Sequence, residues 1–301
     1  NKDKKENEMI KKNDLNFIKN TKIKSHNFSH NLVQKKTKIF VKKNSPVNNN
    51  KLKLKIGAII TVRTSSKRYP NKALKKINNV HSIQLLIRRI KKMKNISEII
   101  LATSTHKSDD KLIKISKKEK IKFFRGSLDN VANRYYMSSK KFKLDHIVRV
   151  TGDAILCDEI MLDKAIIDHL KKNADVTFIK NMPYGTAKEV ISHKTLKIID
   201  EKSNDKMATE YLEFFLENKK YFKVNYIKSN YKFRNDIRLT LDYPEDRVLF
   251  DKIYRNFNDK NSSFTLNDVL KLLKNKPKLI KINNFLRPKF EKTEINTSLN
   301  I

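Results

Sequence analysis

The chain has few of the residues that build several familiar kinds of site. Its 301 residues include one cysteine, four glycines, six prolines and no tryptophan. A single Cys157 excludes an internal disulfide and a multi-cysteine zinc site. It fits a reducing compartment, so the expected location is cytoplasmic. The glycines are too dispersed for the glycine-rich loop of a Walker or dinucleotide site, and the histidines are scattered without ligand spacing. No apolar run approaches the roughly 18–20 residues of a membrane-crossing helix, and no secretory signal is visible. The chain begins with Asn rather than Met, which reads as a fragment or a processed product.

Acidic residues are also short. Thirty-two Asp and Glu face 68 Lys and Arg, a formal net charge of +36. An excess of that size raises nucleic acid or an anionic membrane as a partner. However, it is spread along the whole chain, with no basic stripe interleaved with aromatics. Asn and Ile abound alongside Lys, as AT-rich codons favour, so no specific nucleic-acid partner is expected.

What is present starts with residues 55–63, a short apolar and β-branched run that reads as a strand buried on both faces. It turns into a loop that places Arg63, Ser66, Arg68 and Lys72 within ten residues. Arginine offers phosphate a planar fork and lysine a mobile point charge, while Pro70 stiffens the exit. The pattern suggests a polyphosphate site; the plain alternative is a solvated basic loop.

From residue 54 strands and helices alternate. Helices are expected at 82–93, 109–119, 129–141 and 161–171, and strands at 99–103, 121–124, 147–150 and 176–179. Right-handed βαβ units and a mainly parallel sheet follow, with ligands at the carboxyl ends of the strands. That rule gathers Arg63, Thr103, Gly126 and Asp153 on one rim. Beyond residue 179 the alternation weakens: pieces at 189–191 and 196–199 suggest an inserted subdomain. A helix is expected at 209–218, strands at 222–227 and 237–241, and helices at 245–255 and 266–273. Residues 1–54 read as a disordered or remnant extension with one short strand at 39–41, and 285–301 as a flexible tail.

Two acids stand at strand ends. Asp153 follows Gly152, where a small residue lets a ligand approach the backbone; its alternative role is to cap the next helix. Asp242 ends the run Arg238-Leu239-Thr240-Leu241-Asp242, while Glu245 and Asp246 suit the first turn of the following helix. Two carboxylates with phosphate oxygens and water would make an oxygen shell suited to Mg²⁺.

The pattern Arg63-x-x-Ser66-x-Arg68-x-Pro70-x-Lys72 resembles the nucleotide-binding signature of the sugar cytidylyltransferases. Within that group the chain is similar to the spore-coat-polysaccharide type, related to the CMP-sialate and CMP-octulosonate synthetases. Two further phrases agree: Arg125-Gly126-Ser127-x-x-Asn130-Val131-x-x-Arg134-Tyr135 and Leu241-Asp242-x-Pro244-Glu245-Asp246. The resemblance spans about residues 55–284 and implies an α/β, GT-A-like nucleotide-diphospho-sugar transferase fold, with a mainly parallel sheet flanked by helices and a small inserted α+β subdomain.

It also implies roles. Arg63, Lys72, Asp153 and Asp242 would be catalytic, with Asp153 and Asp242 on Mg²⁺. Nucleotide contacts would come from Ala58 and Thr61 on the strand, Arg63, Ser66, Arg68 and Lys72 on the loop, and Thr103, Ser127 and Arg134 farther on. An alternative for Arg134 is a surface pair with Asp129 or Asn130. Gly185, Glu189 and Thr209 would line the sugar pocket. Two departures are visible: Ala154-Ile155 replaces the usual Cys-Pro, and the Glu-His-Val-Thr phrase of relatives is here Lys206-Met207-Ala208-Thr209.

The expected partners are CTP and a sugar acceptor, with a homodimer implied by the resemblance. The expected reaction converts CTP and a sugar acid or related sugar to a CMP-sugar and pyrophosphate, for surface polysaccharide or glycan building. Alternatives are a GT-A-type glycosyltransferase that uses a nucleotide-sugar, and a charge-driven nucleic-acid-binding protein with steeply salt-dependent affinity.

Overall fold

The computed structural model describes residues 54–66, 68–203, 212–286 and 299. The short strand expected at 39–41, and most of both expected end segments, lie outside them. Among the described residues a seven-stranded sheet runs in the order β5-β4-β1-β6-β8-β7-β9. Its members are β1 (Ile56–Thr61), β4 (Glu98–Ser104), β5 (Lys122–Gly126), β6 (His146–Thr151), β7 (Val176–Lys180), β8 (Glu189–Ser192) and β9 (Val224–Lys228). A small antiparallel pair, β2 (Lys76–Ile77) and β3 (Val80–His81), stands apart and is too short to leave a strand signal in the sequence.

β1 pairs in parallel with both β4 and β6. It is wholly buried because helices cover both faces, which is why its sequence is a continuous apolar run rather than an alternating one. Ile56, Ala58, Ile60 and Val62 face α1 (Ser82–Ile90), α2 (Asp110–Lys118) and α4 (Glu159–Lys172). Ile59 faces the other way, toward α3 (Val131–Lys141), α5 (His193–Lys202) and α6 (Leu212–Leu216). Each fully buried Ile or Leu of these layers contributes roughly 1.5–3 kcal/mol. A third cluster joins Leu85 of α1 to Leu249, Phe250 and Ile253 of α7 (Pro244–Asn256) and Val269 and Leu273 of α8 (Leu266–Asn275). The expected helix at 82–93 is thus α1, and it is buried almost all round: Arg88 is its one residue outside the buried set, and fully buried Arg89 pairs with Glu159 at 3.0 Å.

Two expectations need correction. The segment expected to form an inserted subdomain instead supplies β8 to the main sheet, antiparallel between β6 and β7. Residues 237–241 do not form a strand: apart from one bridge between Tyr184 and Arg238, they run as buried irregular chain. The apolar spacing there reflects burial of Ile237, Leu239 and Leu241 against α7, not sheet pairing.

The chain leaves β1 for β4 and then β5 on one side, and β6 lies on the other. The connection therefore switches direction between β1 and β6, where an open α/β sheet leaves a crevice at its carboxyl edge. The exits of β1, β4, β5, β6 and β7, and the entry to antiparallel β8, all lie on that edge.

Candidate active site

The crevice at the ends of β1 and β6 brings together residues far apart in sequence. After β6, Gly152 donates its backbone N–H to Thr61 O at 2.9 Å. A Cβ at that glycine would lie 2.7 Å from Val62 Cγ2, so only glycine lets the two strand exits approach this closely. Asp153 follows, and its carbonyl accepts the backbone N–H of Leu241 at 3.0 Å. The loop carrying Asp153 and the segment carrying Asp242 are thereby fastened together through backbone.

The basic loop supplies the cation between them. Asn71, at φ 56°, turns the chain into a short 3₁₀ turn, Lys72–Leu74. Lys72 Nζ lies 3.1 Å from Asp153 Oδ2 and 2.8 Å from Asp242 Oδ1. Arg68 reaches the same Asp242 oxygen at 2.9 Å, and Arg238 donates to Oδ2 at 3.2 Å. Thr151 donates to Asp153 Oδ1 at 2.6 Å and accepts from Lys188 Nζ at 3.0 Å. Burial alone would raise the Asp153 carboxyl, but the Lys72 and Lys188 ammoniums and the Thr151 hydroxyl hold it well below the usual carboxylate range. Burial would lower the Lys72 ammonium, and the two carboxylates keep it above its ordinary value. Asp153 and Lys72 are therefore both charged at neutral pH.

Asp242 is positioned from behind. Arg238 forms a fork on Asp246, 2.9 and 3.1 Å, and Asn283 donates to Asp246 at 2.8 Å. Asp246 also accepts the backbone N–H groups of Asp242 and Tyr243, capping α7 as the sequence suggested. The guanidinium fork on that acid has no signal of its own in the sequence.

The remaining expected residues fall into two groups. Arg63 stands at the rim, donating to Leu128 O at 3.1 Å; Arg134, buried, donates to Ser127 O and Leu128 O at 3.1 and 3.2 Å. Arg134 thus braces the loop after β5 from a buried position and not from the surface. Ser127 Oγ accepts from Asn130 N in the same loop, and Ser66 lies half-buried in the basic loop.

Four others are spent on the scaffold. Ala58 is fully buried in mid-strand and offers a ligand no surface. Thr103, also fully buried, donates to Asp109 Oδ2 at 2.8 Å. Thr61 shares a hydrogen bond with the Tyr135 hydroxyl, which places Tyr135 in the core rather than on an aromatic platform. Glu189 is committed to buried Arg149, 2.7 Å away. Gly185 lies in the turn between β7 and β8 at φ +93°, and Thr209 lies outside the described residues.

Asp109 carries only the sequence signal of a helix start. Buried, it accepts from the Thr64 N–H and hydroxyl at 2.8 and 2.6 Å and anchors the beginning of the basic loop. Lys188 has no sequence signal either, since nothing local distinguishes it in a lysine-rich chain.

Chemically, two hard carboxylates and a hydroxyl converge where a cation already sits, and the basic side chains around them suit a phosphate chain. That donor set fits a hard divalent cation such as Mg²⁺ and does not suit a soft metal. Among the described residues no helix is long and apolar enough to cross a membrane.

Comparison with known proteins identifies the family. An uncharacterized protein of Methanocaldococcus jannaschii is 33% identical over 238 residues, 78% of this chain and 97% of that protein. The spore coat polysaccharide biosynthesis protein SpsF of Bacillus subtilis is 26% identical over 226 residues, 73% of this chain and 94% of that one. A cytidylyltransferase from Leptospira borgpetersenii superposes with a TM-score of 0.71 at 25% identity, covering 76% of this chain and 97% of that structure. The cytidylyltransferase family model matches residues 57–280, from the first strand past the acids at 242 and 246. The chain therefore belongs to the cytidylyltransferase family, a family of nucleotidyltransferases with the GT-A-like nucleotide-diphospho-sugar transferase fold.

Proposed function

We propose that this chain transfers a cytidylyl group from CTP to a sugar acid or a related sugar, forming a CMP-sugar for surface polysaccharide or glycan synthesis. The observation that carries the reading is the Asp153–Lys72–Asp242 bridge at the strand-end crevice, set within a cytidylyltransferase chain. An acceptor hydroxyl oxygen attacks the α-phosphorus, the bond from that phosphorus to the bridging oxygen of the β-phosphate breaks, and pyrophosphate leaves. The hydroxyl proton passes to solvent. Such a displacement needs placement and charge neutralisation more than covalent help from the protein.

Arg63, Arg68 and Lys72 neutralise and orient the triphosphate; arginine forks and a lysine point charge suit it. Asp153 and Asp242 would hold Mg²⁺, with Thr151 fixing the orientation of Asp153 and Arg238 that of Asp242. When bound, Mg²⁺ supplies a fixed double positive charge that offsets charge on the phosphate oxygens.

Calorimetry with CTP, ATP, GTP and UTP in Mg²⁺, on the chain and on an Arg63→Ala/Asp153→Ala variant, tests the reading. Selective CTP binding that the variant loses, with pyrophosphate released once an acceptor sugar is added, is the expected result. Absence of CTP binding overturns it, and sugar transfer from an added nucleotide-sugar, with release of the nucleotide and no pyrophosphate, would place the chain among glycosyltransferases instead.

A further inference from the structure

Lys72 stands in a different relation to the two acids from the other cations of the crevice. Of the two acids, Arg68 and Arg238 contact only Asp242, and Lys188 reaches Asp153 only through the Thr151 hydroxyl. Lys72 contacts both, at 3.1 and 2.8 Å, and its side chain is 17% exposed. Two carboxylates aimed at one point repel each other unless a cation lies between them. An ammonium does this with one charge and three donors, and it occupies the space a divalent ion would need. Lysine also has a flexible four-carbon stem, so the charge can swing to a new partner while the backbone stays in place.

We propose that Lys72 is the resident counter-cation of this carboxylate pair: it keeps a divalent metal off Asp153 and Asp242 until a bound triphosphate draws its ammonium away. The proposal rests on the functional reading in which these two acids hold the metal. The pair stays neutralised and correctly spaced in the free protein, and metal entry coincides with nucleotide entry. A triphosphate supplies the charge that competes for the ammonium, and the vacated space takes the metal. By linkage, whatever the nucleotide does to metal affinity through Lys72, the metal does equally to nucleotide affinity.

The test is Mn²⁺ binding to the full chain without nucleotide, read as loss of the free-ion electron paramagnetic resonance signal. Wild type is compared with Lys72→Met, Lys72→Gln, Lys188→Gln and Asp153→Asn, each checked for folding by circular dichroism. Weak binding is expected in wild type, tightening roughly 5- to 150-fold in both Lys72 variants, the usual size of a coupling between sites. Lys188→Gln removes the same charge beside Asp153 without emptying the space between the acids, and is expected to change little. Unchanged or weaker Mn²⁺ binding in the Lys72 variants overturns the proposal. So does an equal gain in Lys188→Gln, which would reduce the effect to general charge. Adding CTP separates this inference from the functional reading. If Asp153→Asn takes up Mn²⁺ with CTP as well as wild type does, the acids are not the metal site and both fail. If uptake with CTP needs Asp153 but the Lys72 variants gain nothing, only the counter-cation role of Lys72 fails.

Discussion

Leu241 donates its backbone N–H to the carbonyl oxygen of Asp153 at 3.0 Å, and through that bond two distant segments meet at the crevice. Because the link is made by backbone, the Asp153 carboxylate can be altered without releasing the segment that carries Asp242. Asp153→Asn is expected to cost about 10²–10³-fold in turnover, the scale of losing one fixed electrostatic group, while the variant still folds, with a lowered thermal midpoint because the charged carboxylate stabilises the folded state. Steady-state pyrophosphate release and a thermal melt on the same preparation check both halves.

Arg238 calls for the opposite outcome. It and Asp246 are buried, and removing the guanidinium leaves that carboxylate without its fork. Arg238→Ala should lose about 3–5 kcal/mol of stability, as when one partner of a buried ion pair is removed, measured by urea unfolding. Arg238→Lys should recover only part, because an ammonium cannot bridge both oxygens of Asp246 and also reach Asp242.

Gly185 sits at φ +93°, and a Cβ there would lie 2.6 Å from the Leu239 carbonyl oxygen. Leu239 N in turn donates to Tyr184 O at 2.8 Å. Gly185→Ala should therefore cost roughly 1–3 kcal/mol from backbone strain and shift the segment leading to Asp242. Loss of activity at a temperature where the variant remains folded is the expected result; wild-type kinetics would show that the turn adapts.

Acid should destabilise the protein from mildly acidic pH downward, and His169 explains why. It is buried, with Thr177 Oγ1 on Nδ1 at 2.9 Å and His146 on Nε2 at 3.0 Å; Asp145 adjoins His146, and Asp168 is held by Asn225. Burial, then His146, push the His169 imidazole down to about 3 from 6.5. The unfolded chain thus takes up a proton between pH 6.5 and 3 that the folded chain refuses, so stability falls as pH falls through that window. Asp153, held below its ordinary 3.8, adds a second loss at lower pH, where the unfolded carboxyl protonates first. Urea unfolding across pH 7 to 4 should show a slope that His169→Gln flattens; an unchanged slope would shift the cause elsewhere.

Cys157 is fully buried, and burial pushes its thiol up to about 12. A thiol-specific reagent should leave it unmodified in the native protein and react only as the chain unfolds, so the labelling rate reports opening. Rapid stoichiometric labelling under native conditions would contradict this.

Much of the architecture was legible because it rests on local pattern. The uninterrupted apolar run of β1 and the strand–helix alternation through α4 reflect burial on both faces, and burial leaves a compositional trace. The basic loop and Asp153 were legible because strand-end chemistry uses few residue types at short spacing, and Asp242 through its Leu-Asp-x-Pro-Glu-Asp phrase, although the segment before it is not a strand. Ala58 and Thr103 misled for a related reason: they lie in the right strands, but sequence does not say whether a strand residue stops short of the rim or turns inward. The 237–241 segment misled because apolar alternation signals burial and not hydrogen-bond partners.

By itself, then, the sequence determined the βαβ order, the basic loop, the two acids and the family to which these belong. Which residues meet was decided only in three dimensions. Lys72 is one lysine in a chain with 68 Lys and Arg, and only packing shows that it lies between Asp153 and Asp242. Arg238 on Asp246, Lys188 on Thr151 and Thr103 turned to Asp109 are likewise matters of tertiary contact. A charged side chain carries no mark of its partner; that choice is made when distant segments close together and each buried charge must find its counterpart.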